Sequence, residues 1–404
     1  MSEQVFADVY VFHPACELAV ANGTHSFQPN KRIQQFAYDL QALPVYLMNP
    51  NDFLLVEPNH VSLAREYYKG KFPVEQILSL EEITQNAGKG KVELNALRPW
   101  GWSPVLHKQI EPLKAYFSPG FRNGPVGAWL PAYKPFFSRL FALAILKDLL
   151  NTFPKSYFIS PEQLPVACKT VDQVKQLLWQ WKKIVIKAPF SASGRGIQVV
   201  SADQWRPFHE QWGGGIIKRQ GLLMVEPCLN GQMDIAFQYH ISDNGKIRYL
   251  DSTFFKTDAS GQYIGNYLGL THNSDKLKKT VGFTQQQLTE VAETILLLLN
   301  KRGVNRFHRG YLGVDALVYR DKQEIRRLYP VMEVNLRSTM GTVAMALEQK
   351  YLRGSETGFM GIHFDPQESF AVFVNRQKKE RGFQSLTPYD ESTQFGAWMQ
   401  VDEV

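Results

Sequence analysis

Asp315 stands in the middle of an apolar run, GYLGVDALVY, and that placement constrains the fold more than any other feature of the chain. A lone carboxylate inside a buried strand is costly unless a partner or a cation neutralises it. The next apolar run, YPVMEVNLRSTMG, carries Glu333, Asn335 and Arg337 at every second position. A strand sends alternate side chains to one face, so these three share a face, and pairing of the two runs through the DKQE turn brings them to Asp315. Two carboxylates and an amide oxygen form a hard-oxygen set suited to Mg2+, with waters and phosphate oxygens as the remaining ligands. Arg337, one step further on, is placed to stabilise an anion developing beyond the metal. A purely structural ion-pair set is the alternative.

Two earlier stretches point toward phosphate and base. IVIKAPFSASGRGIQVV sets two apolar runs around a loop of small residues, with Lys187 closing the first run. Glycine lets backbone N–H groups approach an anion closely and the ammonium adds a point charge, which suits nucleotide phosphates; an ordinary hairpin turn is the alternative. The loop is neither a Walker A motif nor GxGxxG. LLMVEPCLNGQMD then runs an apolar strand into Glu226, with Asp234 beyond a Gly-containing turn. A strand that ends and bends frees backbone groups to read an adenine edge, and an acid just beyond can accept from ribose hydroxyls. A surface turn bearing two acids is the alternative there.

At 404 residues the chain exceeds what one core usually organises, so two or three domains are expected. The first hundred residues alternate apolar runs (VYVF, PVYLM, DFLLV) with helical patterns (KRIQQFAYDLQA, SLAREYYKG), as in a βαβ-type layer whose sheet is partly parallel. Between Glu81 and Gly127 the pattern weakens and Gly, Pro and Trp cluster. A helix follows in FFSRLFALAILKDLLNTF, and capping patterns at Thr170–Gln173, Ser201–Gln204 and Thr284–Gln287 mark three further helix starts. Strands are expected at 184–188, 197–200, 222–226, 234–241, 246–256, 311–320 and 325–335, the fourth and fifth joined by the hairpin signal SDNGK. The second half therefore reads as α+β with antiparallel hairpins.

Several classes are disfavoured. No apolar run approaches the roughly 18 residues a membrane span needs, and the start lacks a signal-peptide pattern, so a cytoplasmic address and no membrane partner are expected. Cys16, Cys168 and Cys228 lack CxxC spacing and read as reduced, packed thiols. The net charge of +7 is mild for the length, and the densest basic run, NRQKKERG, contains Glu380 and no aromatics, so no nucleic-acid partner is expected.

In order and spacing, Lys187, the Ser191–Gly196 loop, VEPCLNGQMD, Asp315 and EVNLR resemble the ATP-grasp superfamily over roughly residues 130 to 350. The resemblance implies two α+β lobes gripping ATP, preceded by an N-terminal α/β domain, with borders placed at 1–125, 126–221 and 222–404. It implies ATP and Mg2+, two ions, as cofactors. It makes Lys187 the phosphate-binding lysine, Ser191, Ser193, Gly194 and Gly196 the flap, Glu226 the hinge acid, and Pro227 to Leu229 the backbone that meets the base. Asp234 takes the ribose, Arg139 (over Lys134) adds a phosphate contact, and Asp315, Glu333 and Asn335 are the Mg2+ ligands. Arg337 resembles the arginine that meets the transferred phosphate and, with Lys187, is the expected catalytic pair. Some ligases of this kind have an arginine where this chain has Gly313, which leaves His308, Arg309 or Lys256 as candidates for that role. FHPACELAVANGTHSFQPN and PWGWS resemble segments of a set of uncharacterised bacterial ATP-grasp proteins, with Glu17 and Asn22 as candidate substrate contacts or loop caps. The implied activity is ligation of a small carboxylate to an amine, with a kinase or a non-catalytic nucleotide-binding protein as alternatives, in a chain that can form a homodimer.

Overall fold

The computed structural model describes residues 6–191, 196–258 and 261–402. Three sheets organise them. The first joins β1 (Phe6–Val11), β2 (Phe53–Leu55), β3 (Ile77–Leu78) and β4 (Glu93–Pro99) in the order β3-β2-β1-β4, and every pairing is parallel. Parallel strands need crossovers, which the helices Lys31–Asp39, Pro58–Tyr68 and Leu80–Gly88 supply. The apolar run PVYLM adds no strand: it winds into a 3-10 helix, Leu43–Leu47, with Pro44 lacking the N–H that a ladder would need. β4 lies in the stretch where the sequence pattern fades.

The second sheet is small and antiparallel: β5 (Val166–Cys168), β6 (Lys183–Lys187), β7 (Ile197–Ser201) and β8 (Leu223–Pro227), ordered β5-β8-β6-β7. The border expected at 221/222 falls just before β8, yet β8 pairs with β5 and β6, so this sheet runs to Pro227. Thr170 and Gln173 form the expected reciprocal cap on helix Val171–Trp181, as Thr284 and Gln287 do on Gln285–Lys301. Ser201–Gln204 does not. Ser201 Oγ bonds the Gln204 side chain across a single 3-10 turn, and the helix waits until Pro207, whose missing N–H costs nothing in a first turn.

The third sheet has eight strands: β9 (Asn230–Ile241), β10 (Ile247–Thr257), β11 (Tyr263–Leu268), β12 (Gly310–Arg320), β13 (Arg326–Asn335), β14 (Gly358–Phe364), β15 (Phe383–Ser385) and β16 (Phe395–Val401). Their order is β13-β12-β9-β10-β11-β14-β16-β15, all antiparallel. Alternation assigns its two faces. Ile235, Phe237 and Tyr239 of β9, with Val314, Ala316 and Val318 of β12, are buried in one cluster with Ile145 and Leu149 of helix Arg139–Thr152 and Ile295 and Leu299 of Gln285–Lys301. The intervening residues, Asp234, Ala236, Asp315 and Leu317, face a cavity instead. The chain passes from β8 to β9 with only Cys228 and Leu229 between them, which makes that short link the hinge joining the small and large sheets.

Candidate active site

A cavity of about 740 Å3 lies between the small and large sheets and continues to the C-terminal ends of β1 and β4, where Pro14 and Trp100 line it. Ligands in parallel α/β layers bind at that end of the strands. From the small sheet, Val185, Lys187, Ile197 and Val199 line the cavity; from the large sheet, Asp234, Asp315, Leu317 and Glu333 do.

Cross-strand register explains the acidic wall. Asp315 pairs directly with Glu333 and Gly313 with Asn335. Asn335 Nδ2 donates to Asp315 Oδ2 at 2.9 Å. Burial, and then the neighbouring Glu333 charge, push the Asp315 carboxyl up to about 7. A cation between the two acids would relieve that repulsion, so the donors fit a hard divalent ion. Among the described residues no group of three or more His, Cys, Asp and Glu side chains forms a closed cage. An ion here would therefore rely on the two acids, the amide, water and a ligand, as Mg2+ at a nucleotide does.

Cations alternate with these acids. Lys187 and Glu226 are both buried and form an ion pair, and Tyr329 Oη donates to the other Glu226 oxygen at 3.2 Å. The Glu226 side chain thus turns along the sheet toward the lysine. At the hinge, Pro227 has no N–H and the Cys228 N–H donates to the Lys183 carbonyl, so of the residues 227–229 only Leu229 has an amide left to meet a base. Asp234 accepts from Thr257 Oγ1 at 2.9 Å, and burial pushes its carboxyl up to about 6.

Arg139 is the basic residue that reaches the acids. Its guanidinium lies 2.9 Å from Glu333 Oε1 and also donates to Ala188 O and Ser191 Oγ, tying the start of the small-residue loop to the acidic wall. Lys134 goes elsewhere, donating to the Ala21 carbonyl at 2.6 Å. Gly196 closes the β6–β7 hairpin by accepting from the Ala188 N–H, whereas Ser193 and Gly194 lie outside the described residues.

Arg337 sits beyond the end of β13, held by a bridge to Gly101. Its Nη2 donates to Asn335 Oδ1 at 3.2 Å, which keeps it on the cavity side. Its Nε lies 3.0 Å from Glu17 Oε1. Both residues are buried deeply enough that burial alone would disfavour their charges; the pairing restores the guanidinium, while the Glu17 carboxyl stays raised.

Glu17 does not lie in a loop as the sequence suggested, but in the first turn of helix Cys16–Asn22. Asn22 is exposed and accepts from the Thr24 N–H and hydroxyl, a local cap with no reach to the cavity. PWGWS is the other half of this contact: a side chain at Gly101 would stand 2.4 Å from Cys16 Sγ and 2.9 Å from Arg337 Cβ. Only glycine lets the N-terminal layer approach Arg337 so closely.

His308, Arg309 and Lys256 do not line the cavity. His308 bonds the Tyr311 carbonyl, Arg309 binds the carbonyls of Asp243 and Asn305, and Lys256 alternates away from Phe255 and Thr257, which do line it. An arginine at position 313 has no room, because even a Cβ there would be 2.8 Å from Thr339 Cγ2. Gln238 fills that space, bonded to Thr253 Oγ1 at 2.9 Å and accepting from Thr339 Oγ1 at 3.0 Å. Sequence reasoning missed this buried amide, although a glutamine inside the apolar run IAFQYHI is the same signal that drew attention to Asp315.

A small antiparallel lobe and a larger one, hinged beside an acidic wall and preceded by a parallel layer, define the ATP-grasp fold, and comparison with solved structures agrees. N5-carboxyaminoimidazole synthetase from Staphylococcus aureus, solved with ADP, superposes with a TM-score of 0.52 at 12% identity, covering 99% of this chain and 94% of that one. Biotin carboxylase from Campylobacter jejuni, solved as a β,γ-ATP complex, gives 0.52 at 11% identity, covering 99% and 88%. The biotin carboxylase domain dimer of Hydrogenobacter thermophilus 2-oxoglutarate carboxylase, solved with MgADP, ADP and bicarbonate, gives 0.51 at 13% identity, covering 99% and 87%. No protein-family model and no curated protein matches this sequence. Among the described residues no helix is long and apolar enough to cross a membrane.

Proposed function

We propose that this chain is an ATP- and Mg2+-dependent ligase that activates a carboxylate as an acyl phosphate for attack by an amine. The observation that carries this reading is the convergence of Asp315, Glu333, Lys187 and Arg337 on one cavity between two hinged lobes. The adenine would lie against Val185, Val199 and Leu317 with the Leu229 amide at its edge, and Asp234 would accept from the ribose. Asp315 and Glu333 would hold Mg2+, and Asn335, whose amide oxygen here accepts from Arg337, would join them through that oxygen. The metal, when bound, neutralises phosphate oxygens.

Lys187, which lines the cavity, leaves Glu226 for the phosphate chain. Arg139, released from Glu333, is free to meet the same anions. Arg337, braced by Glu17, stabilises charge on the phosphoryl group in transfer. In the first step a substrate carboxylate oxygen attacks the γ-phosphorus and ADP departs. In the second the amine nitrogen attacks the acyl carbon, phosphate leaves, and the nitrogen loses a proton. No protein nucleophile is needed, and the closed lobes keep water from the acyl phosphate.

The test is ADP release by the full chain with pooled carboxylates and amines. Release that requires both partners supports the ligase; a stable phosphorylated product formed with one acceptor makes it a kinase; MgATP binding without release under any mixture makes it a nucleotide-responsive binding protein.

A further inference from the structure

One part of the cavity lining is apolar. This wall is built from Phe36 of helix Lys31–Asp39, Trp100 after β4, Ile362 and Phe364 of β14 and Phe395 of β16. None of these residues is assigned to the nucleotide; they come from the parallel layer and from β14 and β16. Among the described residues one charged group stands at this wall, the exposed Arg32. Its guanidinium carbon lies 4.2 Å from the centre of the Phe364 ring, within cation–π range. The other two cations that line the cavity among the described residues, Lys187 and Arg337, are paired with Glu226 and Glu17. Arg32 makes no ion pair or hydrogen bond to any described residue.

Resting on the ligase reading, we propose that the carboxylate substrate carries an aromatic or bulky apolar body and a second anionic group, which the Phe36–Trp100–Phe364–Phe395 wall and Arg32 respectively recognise. A small polar acid such as bicarbonate would leave the part-exposed Phe36, Ile362 and Phe364 side chains uncovered, Trp100 and Phe395 being already packed at 3% and 5% exposure. An apolar monocarboxylate would leave the Arg32 guanidinium unused, and a planar donor fork of this kind matches a carboxylate or phosphate geometrically.

Calorimetric titration of the full chain, with and without MgADP, uses four probes: benzylsuccinate, which has both handles; 3-phenylpropanoate, which lacks the second anion; succinate, which lacks the body; and bicarbonate. Benzylsuccinate is expected to bind at least tenfold more tightly than each of the others. Arg32→Ala is expected to bring benzylsuccinate down to the level of 3-phenylpropanoate without changing the latter. Phe364→Leu, which keeps the wall filled, should weaken both aromatic probes and spare succinate. Equal or tighter binding of succinate or bicarbonate, or an unchanged ratio in Arg32→Ala, overturns the proposal. MgADP titrated alone reports separately on the nucleotide end: failure there refutes the ligase reading, while the probe series without nucleotide still decides the acid's chemistry.

Discussion

Asp315 and Glu333 are direct partners across β12 and β13, two carboxylates on one face of an antiparallel ladder. Like charges in that arrangement destabilise a sheet by some tenths of a kcal/mol to about 1 kcal/mol. Asp315→Asn keeps the volume and an oxygen for the Asn335 amide while removing one charge. It should therefore raise the melting temperature of the metal-free protein and lower Mg2+-dependent ADP release by roughly 100-fold or more, the loss typical of one missing electrostatic group. Thermal unfolding and turnover of the same preparation check both halves. A structural ion-pair site would lose stability instead.

Glu17 reaches the centre from the parallel layer. Glu17→Gln leaves Arg337 buried without its countercharge, and removing one member of a buried pair usually costs about 3–5 kcal/mol. If Glu17 is a positioning residue, kcat should fall about tenfold or more while ATP affinity is unchanged, because the nucleotide end does not touch it. Lower stability with wild-type kcat would reduce Glu17 to a structural role.

How much of this was legible depends on whether the signal was local. Period-two spacing placed Glu333 and Asn335 beside Asp315 because sheet geometry converts sequence spacing directly into facing. Strand pairs with close turns were legible for the same reason. The Glu17–Arg337 pair was not, because nothing in a sequence states that residues 17 and 337 meet across two sheets. The Lys187–Glu226 pair was half legible: both residues stood out, but the antiparallel register that aims one at the other depends on β6 and β8 being neighbours despite β7 intervening in the chain. β4 lacked a clean periodic signal, since its edge residues Asn95 and Arg98 are spent on Asp8.

Lys187→Met should weaken MgATP binding by roughly 10- to 100-fold, the worth of one charge-assisted contact to phosphate. Because the substitution strands Glu226, the double variant Lys187→Met with Glu226→Gln serves as its partner: it should regain the melting temperature and not the affinity. Equilibrium nucleotide binding and thermal unfolding separate the two effects. Wild-type affinity in either variant would remove Lys187 from the phosphate site.

Two glycines make a matched pair. Gly101→Ala forces a Cβ to 2.4 Å from Cys16 Sγ and 2.9 Å from Arg337 Cβ, and overpacking of this kind costs about 1–3 kcal/mol. Gly214, inside helix Pro207–Gln220, has nothing within 4 Å of a new Cβ, so Gly214→Ala should stabilise by about 0.5–1 kcal/mol. Chemical denaturation should give opposite signs, with turnover lost only at position 101.

Burial pushes the Glu348 carboxyl from an ordinary 4.5 up to about 7, with Asp251 adding to the rise and the Gly269 N–H, which donates at 2.8 Å, opposing it. A carboxyl raised on folding binds its proton more tightly in the native state, so its contribution is fully present below pH 4.5 and is lost as pH climbs through about 7. Glu348→Gln keeps an oxygen for Gly269 and removes the titration. Melting temperatures compared at pH 5 and pH 8 should therefore show a gap between variant and wild type that is small at the lower pH and widens in favour of the variant at the higher one. A gap that stays constant with pH would mean that Glu348 titrates normally in the folded chain.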